Sequence, residues 1–576
     1  QAVYAHDANG EPYAIAITNA TQPGQSRVIE KGTKNEFYTV NLFSDYSRQL
    51  GDHYFKVMGG FNAEHQNVRT LSAQRDGIIV PDLPTIDTST EQDVAGGGYN
   101  HWATAGFFGR LNYNYKEKYL LEVNGRYDGT SRFMKDQRWN FFPSFSLGWN
   151  VARENFWKPL ESVVNQFKLR GSWGELGNQN TSNLYPFYEI LPVKSNSGNW
   201  LVNGGKTNTA DIPSLVSTLL TWERVRSFNV GFDFGAFSNR LTGSFDYFVR
   251  KTVDMVGPAP QLPLVLGIAP AIVNNADMKS YGFEIELSWR DRIGEVDYGV
   301  KFNLADAQQK VVKYPNTTNA FSDWYAGKMS GEIWGYTSLG IAKTDEEMKE
   351  HLASLPNGGQ NQLGNKWGAG DIMYADINGD GKVDGGKGTL ADPGDQRIIG
   401  NSTPRYNFGL VLDASYKGFD VSIFFQGVGK RDYAPIVGTN GAVFWGAVNN
   451  IWQSMAMEEH FDYFRPEGHP MGANLNGYYP RPDFTSNKNH QVQTRYLQDA
   501  SYIRLKNLQI GYTLPKQWIN KLHINRCRVY VSGDNLWTGT SLASMFDPET
   551  LAAGDWGSGK TYPLSKVISF GLNVNF

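Results

Sequence analysis

The chain has 576 residues, and its 54 lysines and arginines against 57 aspartates and glutamates give a net charge of −3. This balance gives no indication of the clustered positive charge that nucleic-acid binding requires, and the single cysteine, Cys527, excludes an internal disulfide and a cysteine-based zinc site. Aromatic residues make up 14% of the chain, glycine contributes 62 residues and only 19% of residues are charged. Such a composition is typical of all-β proteins with glycine turns and aromatic girdles.

The chain contains no run of about 18 apolar residues, so no transmembrane helix is predicted. Membrane-spanning strands leave a weaker signal, because lipid-facing residues alternate with lumen-facing residues and the mean hydropathy, here −0.45, stays low. No basic and apolar leader follows Gln1. A signal peptide is therefore expected to be removed or to lie upstream.

Alternation of apolar and polar residues predicts about fifteen strands along the chain. Their centres are Val40, Val57, Tyr113, Leu121, Phe145, Leu169, Val230, Phe245, Ile285, Val300, Leu410, Ile423, Ile510, Val531 and Leu572. The shorter alternation of Tyr13, Ile15 and Ile17 could add a sixteenth strand near the N-terminus.

The last strand shows the period most clearly. Ile568, Phe570, Leu572, Val574 and Phe576 alternate with small or polar residues up to the final position. A strand of about 9–11 residues with one apolar face is long enough to cross a bilayer at a tilt. A terminal Phe576 resembles the signal by which the outer-membrane assembly machinery recognises barrels. The alternative is an edge strand of a soluble sandwich.

Connection lengths provide an independent test, because outer-membrane barrels alternate short periplasmic turns with long extracellular loops. Counted back from a periplasmic Phe576, the predicted outer stretches are 535–566, 429–500, 306–405, 251–276, 174–221, 129–138 and 64–102. The predicted inner turns are 515–525, 417–418, 290–294, 235–240, 153–163, 116–118 and 49–52. This strict alternation predicts a transmembrane antiparallel β-barrel and is not expected of a soluble β protein.

Several stretches also carry recognisable motifs: LTWER at 220–224, FNVGFDF at 228–234, NRLTGS at 239–244, GDIMYADINGDGKVD at 370–384, IGNSTP at 399–404, YIRLKNL at 502–508, SGDNLW at 532–537 and DPE at 547–549. In this order, from about Phe107 to Phe576, they resemble the SusC/RagA family of TonB-dependent transporters. The resemblance implies a barrel of about 22 strands preceded by a TonB box and a plug domain. Residues 1–576 are accordingly expected to form a barrel domain that lacks the plug and about seven strands of the family's barrel.

An Asp-rich loop is the strongest candidate for a metal site. Asp376, Asn378, Asp380, Lys382 (through its carbonyl) and Asp384 supply oxygens at the spacing of a calcium-binding EF-hand loop. Position twelve of that pattern is Lys387 in place of a bidentate glutamate, and Asp371, Asp392 or Asp395 would have to complete the shell. A structural calcium ion is one interpretation; a turn held by its own side-chain hydrogen bonds is the other. No organic cofactor is predicted.

Catalytic motifs do not emerge from the sequence. Gly381 to Gly388 nearly matches a phosphate-binding loop but ends in glycine where serine or threonine should hold Mg²⁺. There is no His-Glu-x-x-His pair and no Gly-x-Ser-x-Gly elbow. We therefore do not expect an enzyme.

Four tryptophans in the two longest predicted outer loops are candidate ligand-binding residues: Trp324, Trp334, Trp445 and Trp452. Exposed indoles could stack on sugar rings or on peptide side chains. The alternative is that these indoles pack the loops against one another.

The resemblance implies active import of oligomeric nutrients across the outer membrane of a Gram-negative bacterium of the Bacteroidota. Glycan oligosaccharides are the favoured cargo, with peptides as the second option. The implied partners are a SusD-like surface lipoprotein acting as a lid, TonB acting through the missing N-terminal part, and membrane lipid; a dimer of the two-protein complex is also compatible. The alternatives are a passive porin or adhesin of about sixteen strands and an outer-membrane enzyme with an active site in its loops.

Overall fold

A computed structural model describes residues 2–6, 12–17, 26–91, 93–181, 183–195, 197–259, 265, 267–268, 270–435, 442–448, 456–484, 486–520, 523–551 and 562–576. Fifteen strands form one antiparallel sheet in which spatial order equals chain order. They are β1 (Arg27–Leu50), β2 (His53–Asp76), β3 (Asp93–Tyr115), β4 (Tyr119–Thr130), β5 (Trp139–Asn150), β6 (Val164–Asn178), β7 (Glu223–Ala236), β8 (Leu241–Val256), β9 (Asn274–Ile293), β10 (Val296–Lys313), β11 (Arg405–Tyr416), β12 (Phe419–Lys430), β13 (Tyr502–Thr513), β14 (Arg526–Thr540) and β15 (Val567–Asn575). We call this sheet the wall.

All fifteen predicted strand centres lie in these strands. The alternation of connection lengths holds along most of the wall but fails around β5, where the outer connection 131–138 is shorter than the inner connection 151–163. At one edge the connections are short, as at Lys417 and Gly418, whose positive φ angles of 46° and 91° suit a two-residue hairpin turn. At the other edge they are long, the longest being 314–404 and 431–501. One predicted outer loop is much shorter than expected, since β2 and β3 stay paired as far as Arg75 and Asp93 and leave only residues 77–92 as a loop.

The predicted sixteenth strand is not part of the wall. Pro12–Ile17 forms a strand, but it pairs with Ala2–His6 in a separate two-stranded hairpin. The prediction was wrong on this point because local alternation indicates a strand without indicating its partner.

The register keeps the apolar residues of neighbouring strands on one face. Val230 lies opposite Tyr247, and Phe245 lies opposite Ile285. On β15 the side chains of Ile568 and Phe570 are 66% and 85% exposed, as expected of residues that face lipid in a bilayer. Phe576 is also exposed, and its role as an assembly signal stays a prediction.

Helices are few and short in the described part of the chain. The helix α1 (Asp345–Ala353) begins where Thr344 accepts a hydrogen bond from the backbone N–H of Glu347, and its Met348 side chain is buried. The single turns α2 (Ala442–Trp445) and α3 (Lys516–Ile519) are the other α-helical segments described. No helix among the described residues is long and apolar enough to cross a membrane.

The long loops fold together outside the wall. Buried residues from 314–404, 431–501 and 541–551 form one core, which includes Tyr374, Phe444, Trp445, Tyr496 and Phe546. Short strand pairs brace the loops: Glu332–Gly335 with Arg397–Asn401, Ser338–Ile341 with Ile372–Tyr374, Asp432–Tyr433 with Gln498–Asp499, Val193–Lys194 with Thr209–Ala210, and Leu201–Val202 with Gly205–Lys206. We call the assembly of segments 314–404, 431–501 and 541–551 the loop body.

Candidate functional site

The inner face of the wall is the first candidate surface, because it is lined by polar side chains. Arg170 on β6 donates hydrogen bonds to Asp233 on β7 at 2.8 Å and to Asp246 on β8 at 2.9 Å. Asn112 donates to Glu122 at 2.6 Å. These residues alternate with the lipid-facing ones, so the strands that expose apolar side chains to lipid also build a hydrogen-bonding lumen.

A groove of about 470 Å³ runs along this inner face. Its polar lining includes uncharged donors and acceptors together with a few charges, namely Asn112, Asn114, Glu122, Ser146, Lys168, Arg170, Ser172, Asn229 and Asp246. Side-chain amides and hydroxyls can both donate and accept hydrogen bonds. The groove therefore offers several hydrogen-bonding groups to a polar molecule, beside the apolar side chains of Leu120, Leu121 and Leu147.

Ion pairs fasten the loop body to the wall. Arg405 at the start of β11 forms a bidentate ion pair with Asp306 on β10. This ion pair joins the two strands at the base of the loop 314–404. On β13, Arg504 contacts Asp547 at 2.9 Å and Lys506 contacts Glu549 at 3.0 Å. The sequence motifs 502–508 and 547–549 therefore contact each other through these two ion pairs.

Asp371 is a buried hub that joins the two longest loops. Its side chain is fully buried and accepts from Arg481 at 2.8 and 2.7 Å, from Lys488 at 3.0 Å and from Asn489 at 2.9 Å. The ammonium group of Lys488, itself only 1% exposed, also lies 5.0 Å from the ring centre of Trp367. Two cationic side chains therefore contact the carboxylate of Asp371, and its role as an additional calcium ligand stays a prediction.

The Asp-rich loop is held by its own hydrogen bonds. Asp376 accepts from the backbone N–H groups of Gly379 at 2.6 Å and Gly381 at 2.8 Å, and Asp380 accepts from that of Lys382 at 3.2 Å. Asn378 accepts from Asp380 in the same way at 3.0 Å. These are the side-chain-to-backbone bonds expected of the turn interpretation.

Asp384 and Asp395 extend this network below the turn. The Lys382 ammonium contacts Asp384 and thereby lowers the pKa of that carboxyl, and Asp395 accepts from the N–H of Asp384 at 2.8 Å. Among the residues that the structure describes, no three His, Cys, Asp or Glu side chains converge as a metal site would require. Calcium binding by this loop stays a prediction.

The candidate tryptophans have different surroundings. Trp334 stacks on Phe321 with ring centres 4.6 Å apart, and Trp324 meets Tyr314 edge-on at 5.9 Å. Trp445 is 3% exposed and packs inside the loop body, where its Nε1 donates to the carbonyl of Pro435 at 3.1 Å. The indole of Trp445 therefore packs the loops against one another and does not form an exposed stacking surface. Trp452 lies outside the described residues.

Comparison with known proteins agrees with this architecture. The sequence model of the family described as "TonB dependent receptor-like, beta-barrel" matches residues 2–536, which is most of the chain. The chain belongs to this family. Its barrels lie in the outer membrane, and it is a family of receptors rather than of enzymes, so the interpretation as an outer-membrane enzyme is set aside.

Relatives within the family cover nearly the whole chain. TonB-dependent receptor P3 of Formosa agariphila is 28% identical over 93% of this chain and 52% of its own length. TonB-dependent receptor SusC of Bacteroides thetaiotaomicron is 24% identical over 93% of this chain and 50% of its own length. The chain thus spans about half the length of the curated relatives it matches.

Solved structures show the same fold. A chain of the RagAB peptide transporter superposes with a TM-score of 0.75 at 21% sequence identity, over 96% of this chain and 56% of that one. The RagAB peptide importer in its open-open state gives 0.74 at 22% identity over the same shares. The resemblance to the SusC/RagA kind of TonB-dependent receptor is therefore confirmed at the level of sequence family and fold.

Proposed function

We propose that this chain supplies the barrel wall and the extracellular loops of an active importer of oligomeric nutrients, with glycan oligosaccharides as the favoured cargo and peptides as the second. The observation that carries the proposal is the groove of about 470 Å³ on the polar inner face of the wall. It is rich in uncharged hydrogen-bonding side chains, among them Asn112, Ser146, Ser172 and Asn229. Such groups match the closely spaced hydroxyls of a sugar chain.

The partners follow from the kind of receptor to which the chain belongs. A SusD-like surface lipoprotein would close over the extracellular loops as a lid, and a dimer of this two-protein complex would be the working unit. TonB would drive uptake by pulling on a plug domain, since the outer membrane has neither ATP nor an ion gradient of its own. The host would be a Gram-negative bacterium of the Bacteroidota, as are the sources named for the relatives above.

Uptake by a deletion strain tests the proposal. The strain should lose growth on a subset of oligosaccharides or peptides and regain it when the complete wild-type protein is restored. A glycan-specific defect supports the favoured cargo, and a peptide-specific defect selects the second. Normal uptake across the whole panel contradicts the importer.

Energy dependence separates active import from a passive porin or an adhesin. An uncoupler that collapses the inner-membrane proton gradient should stop uptake through the complete protein, whereas diffusion through a porin would continue. The matched control is a small sugar that enters by a general porin in the same cells. Uptake of the oligomer that resists the uncoupler contradicts TonB-driven import.

A further inference from the structure

The loop body contains a small cavity of about 180 Å³, which shares no lining residue with the polar groove of the wall. Most of its lining side chains are apolar or aromatic: Trp445, Val448, Phe461, Tyr479, Pro480 and Phe484. Trp445 and Tyr479 are buried, whereas Phe461 and Phe484 are 53% and 63% exposed. The cavity therefore has a buried aromatic wall and an exposed aromatic rim.

His490 gives this apolar cavity a polar group. The side chain lines the cavity and packs against Trp445, with ring centres 4.5 Å apart. The residue is 3% exposed, and Nδ1 of its imidazole is enclosed without a hydrogen-bond partner among the described residues. Buried polar atoms are nearly always paired. Because this nitrogen is enclosed, a molecule in the cavity supplies its partner only after a small rotation of the imidazole toward the cavity. Burial lowers the pKa of His490 to about 4, which keeps the imidazole neutral near pH 7.

Three other polar side chains around the cavity are already paired. Nε1 of Trp445 donates to Pro435 at 3.1 Å. Nδ1 of His460 accepts from the N–H of Met457 at 2.9 Å, and Arg481 is held by Asp371. A ligand in this cavity therefore meets aromatic surfaces, the imidazole of His490 and the hydroxyl of Tyr479.

Size and chemistry restrict the ligand to one ring. An apolar cavity of about 150 Å³ is large enough for benzene. A sugar ring would leave most of its hydroxyls unpaired against these walls, which is unfavourable. A single hydroxyl can donate to or accept from an imidazole nitrogen and so suits either tautomer.

We propose that this cavity binds one phenolic ring, which packs against the surrounding aromatic side chains and exchanges a hydrogen bond with His490. The ring could belong to a tyrosyl side chain or to a phenolic ester. The site goes beyond the proposed import, and binding to the purified protein tests it independently of uptake.

The test compares N-acetyl-tyrosinamide with N-acetyl-phenylalaninamide, which differ by one hydroxyl, on the complete protein in detergent. Ligand-observed NMR and calorimetry should show saturable binding of both, with the tyrosyl compound about ten-fold tighter, as one neutral hydrogen bond provides. In His490→Phe this preference should disappear. Val448→Trp should fill the cavity and abolish binding of both compounds, and His101→Phe, an exposed position on β3, should change nothing.

Three outcomes overturn the proposal: no saturable binding to the wild type, a preference that survives in His490→Phe, or binding that survives in Val448→Trp while circular dichroism shows a folded protein.

A further comparison with methyl 4-hydroxybenzoate distinguishes the sources of the ring. Tighter binding of the amide supports a peptide source, and tighter binding of the ester supports a phenolic ester; either result keeps the phenolic site.

Discussion

In the wall, strands that are consecutive in chain order are neighbours in space, whereas the loop body is held by contacts between different loops. Each wall strand from β2 to β14 pairs with the strand before it and the strand after it. In the loop body, Asp371 meets Arg481 and Lys488, which follow it by 110 and 117 positions. The wall therefore depends on repeated backbone hydrogen bonds between consecutive strands and on contact with lipid, and the loop body on a few buried contacts between different loops. Four predictions test this difference.

The largest effect is expected at the buried hub. Asp371→Ala leaves Lys488 as a buried charge without its main partner, and breaking such a pair costs about 3–5 kcal/mol. The loop body should become sensitive to limited proteolysis, while the wall keeps the heat-dependent gel mobility of a folded barrel. The control is Glu467→Ala, an exposed carboxylate in the same loop. Equal protease resistance of both variants would show that the hub does not hold the loops.

The next effect should be confined to the wall. Val230 faces lipid near the middle of β7 and its neighbour Asn229 faces the lumen, where it donates to Ser172 at 3.2 Å. Val230→Arg should cost about 2–4 kcal/mol, because it places a charge at the depth of the hydrocarbon core. Asn229→Arg should cost less than about 1 kcal/mol, since the lumen is polar. Reversible urea unfolding in lipid vesicles measures both, and equal losses would contradict the assignment of faces.

Calcium, if it binds the Asp-rich loop, should act on the loop body alone. A ligand at one hundred times its Kd stabilises the folded state by about 2.7 kcal/mol. Calcium should then raise the unfolding temperature of the loops and leave that of the wall unchanged. Asp376→Asn removes a charged ligand at the first position and should abolish the increase. A protein whose loops unfold at the same temperature with millimolar calcium and with chelator would refute the site.

The smallest effect concerns the ion pair between Lys382 and Asp384. The hydrogen bond from Lys382 lowers the pKa of Asp384 below its usual 3.8, so the stabilisation is present above 3.8 and is lost as the pH falls through the lower folded value. Because the Lys382 side chain is partly exposed, Lys382→Met should lower the free energy of unfolding only slightly at pH 7. Wild type and variant should become equally stable at a pH below both values. A difference in unfolding free energy that persists there would contradict the ion pair as its cause.

Local sequence predicted the wall closely because the side-chain period of a strand is two and neighbouring strands pair in order. Every predicted strand centre lies in a strand of the wall, and the wall strands pair in chain order. The errors occurred where the partner lies outside the local pattern, at Tyr13 to Ile17 and at the extended pairing of β2 with β3.

The candidate sites were less predictable for the same reason. Nothing near Asp371 in the sequence indicates that it contacts Arg481 and Lys488, and nothing near Trp445 indicates burial against His490. The motifs 502–508 and 547–549 could be recognised, but their meeting through Arg504 and Asp547 could not.

The sequence by itself determined the strands, their lipid-facing residues, the alternation of short turns and long loops, and the family to which the chain belongs. These features follow from periodicity and spacing, which each segment carries without reference to the rest of the chain. Only the tertiary structure decided which loop residues are buried and paired, where the cavity beside His490 lies, and that Trp445 packs inside the loop body. Those features depend on contacts between distant segments, because burial and pairing are set by what a folded loop meets and not by its own residues.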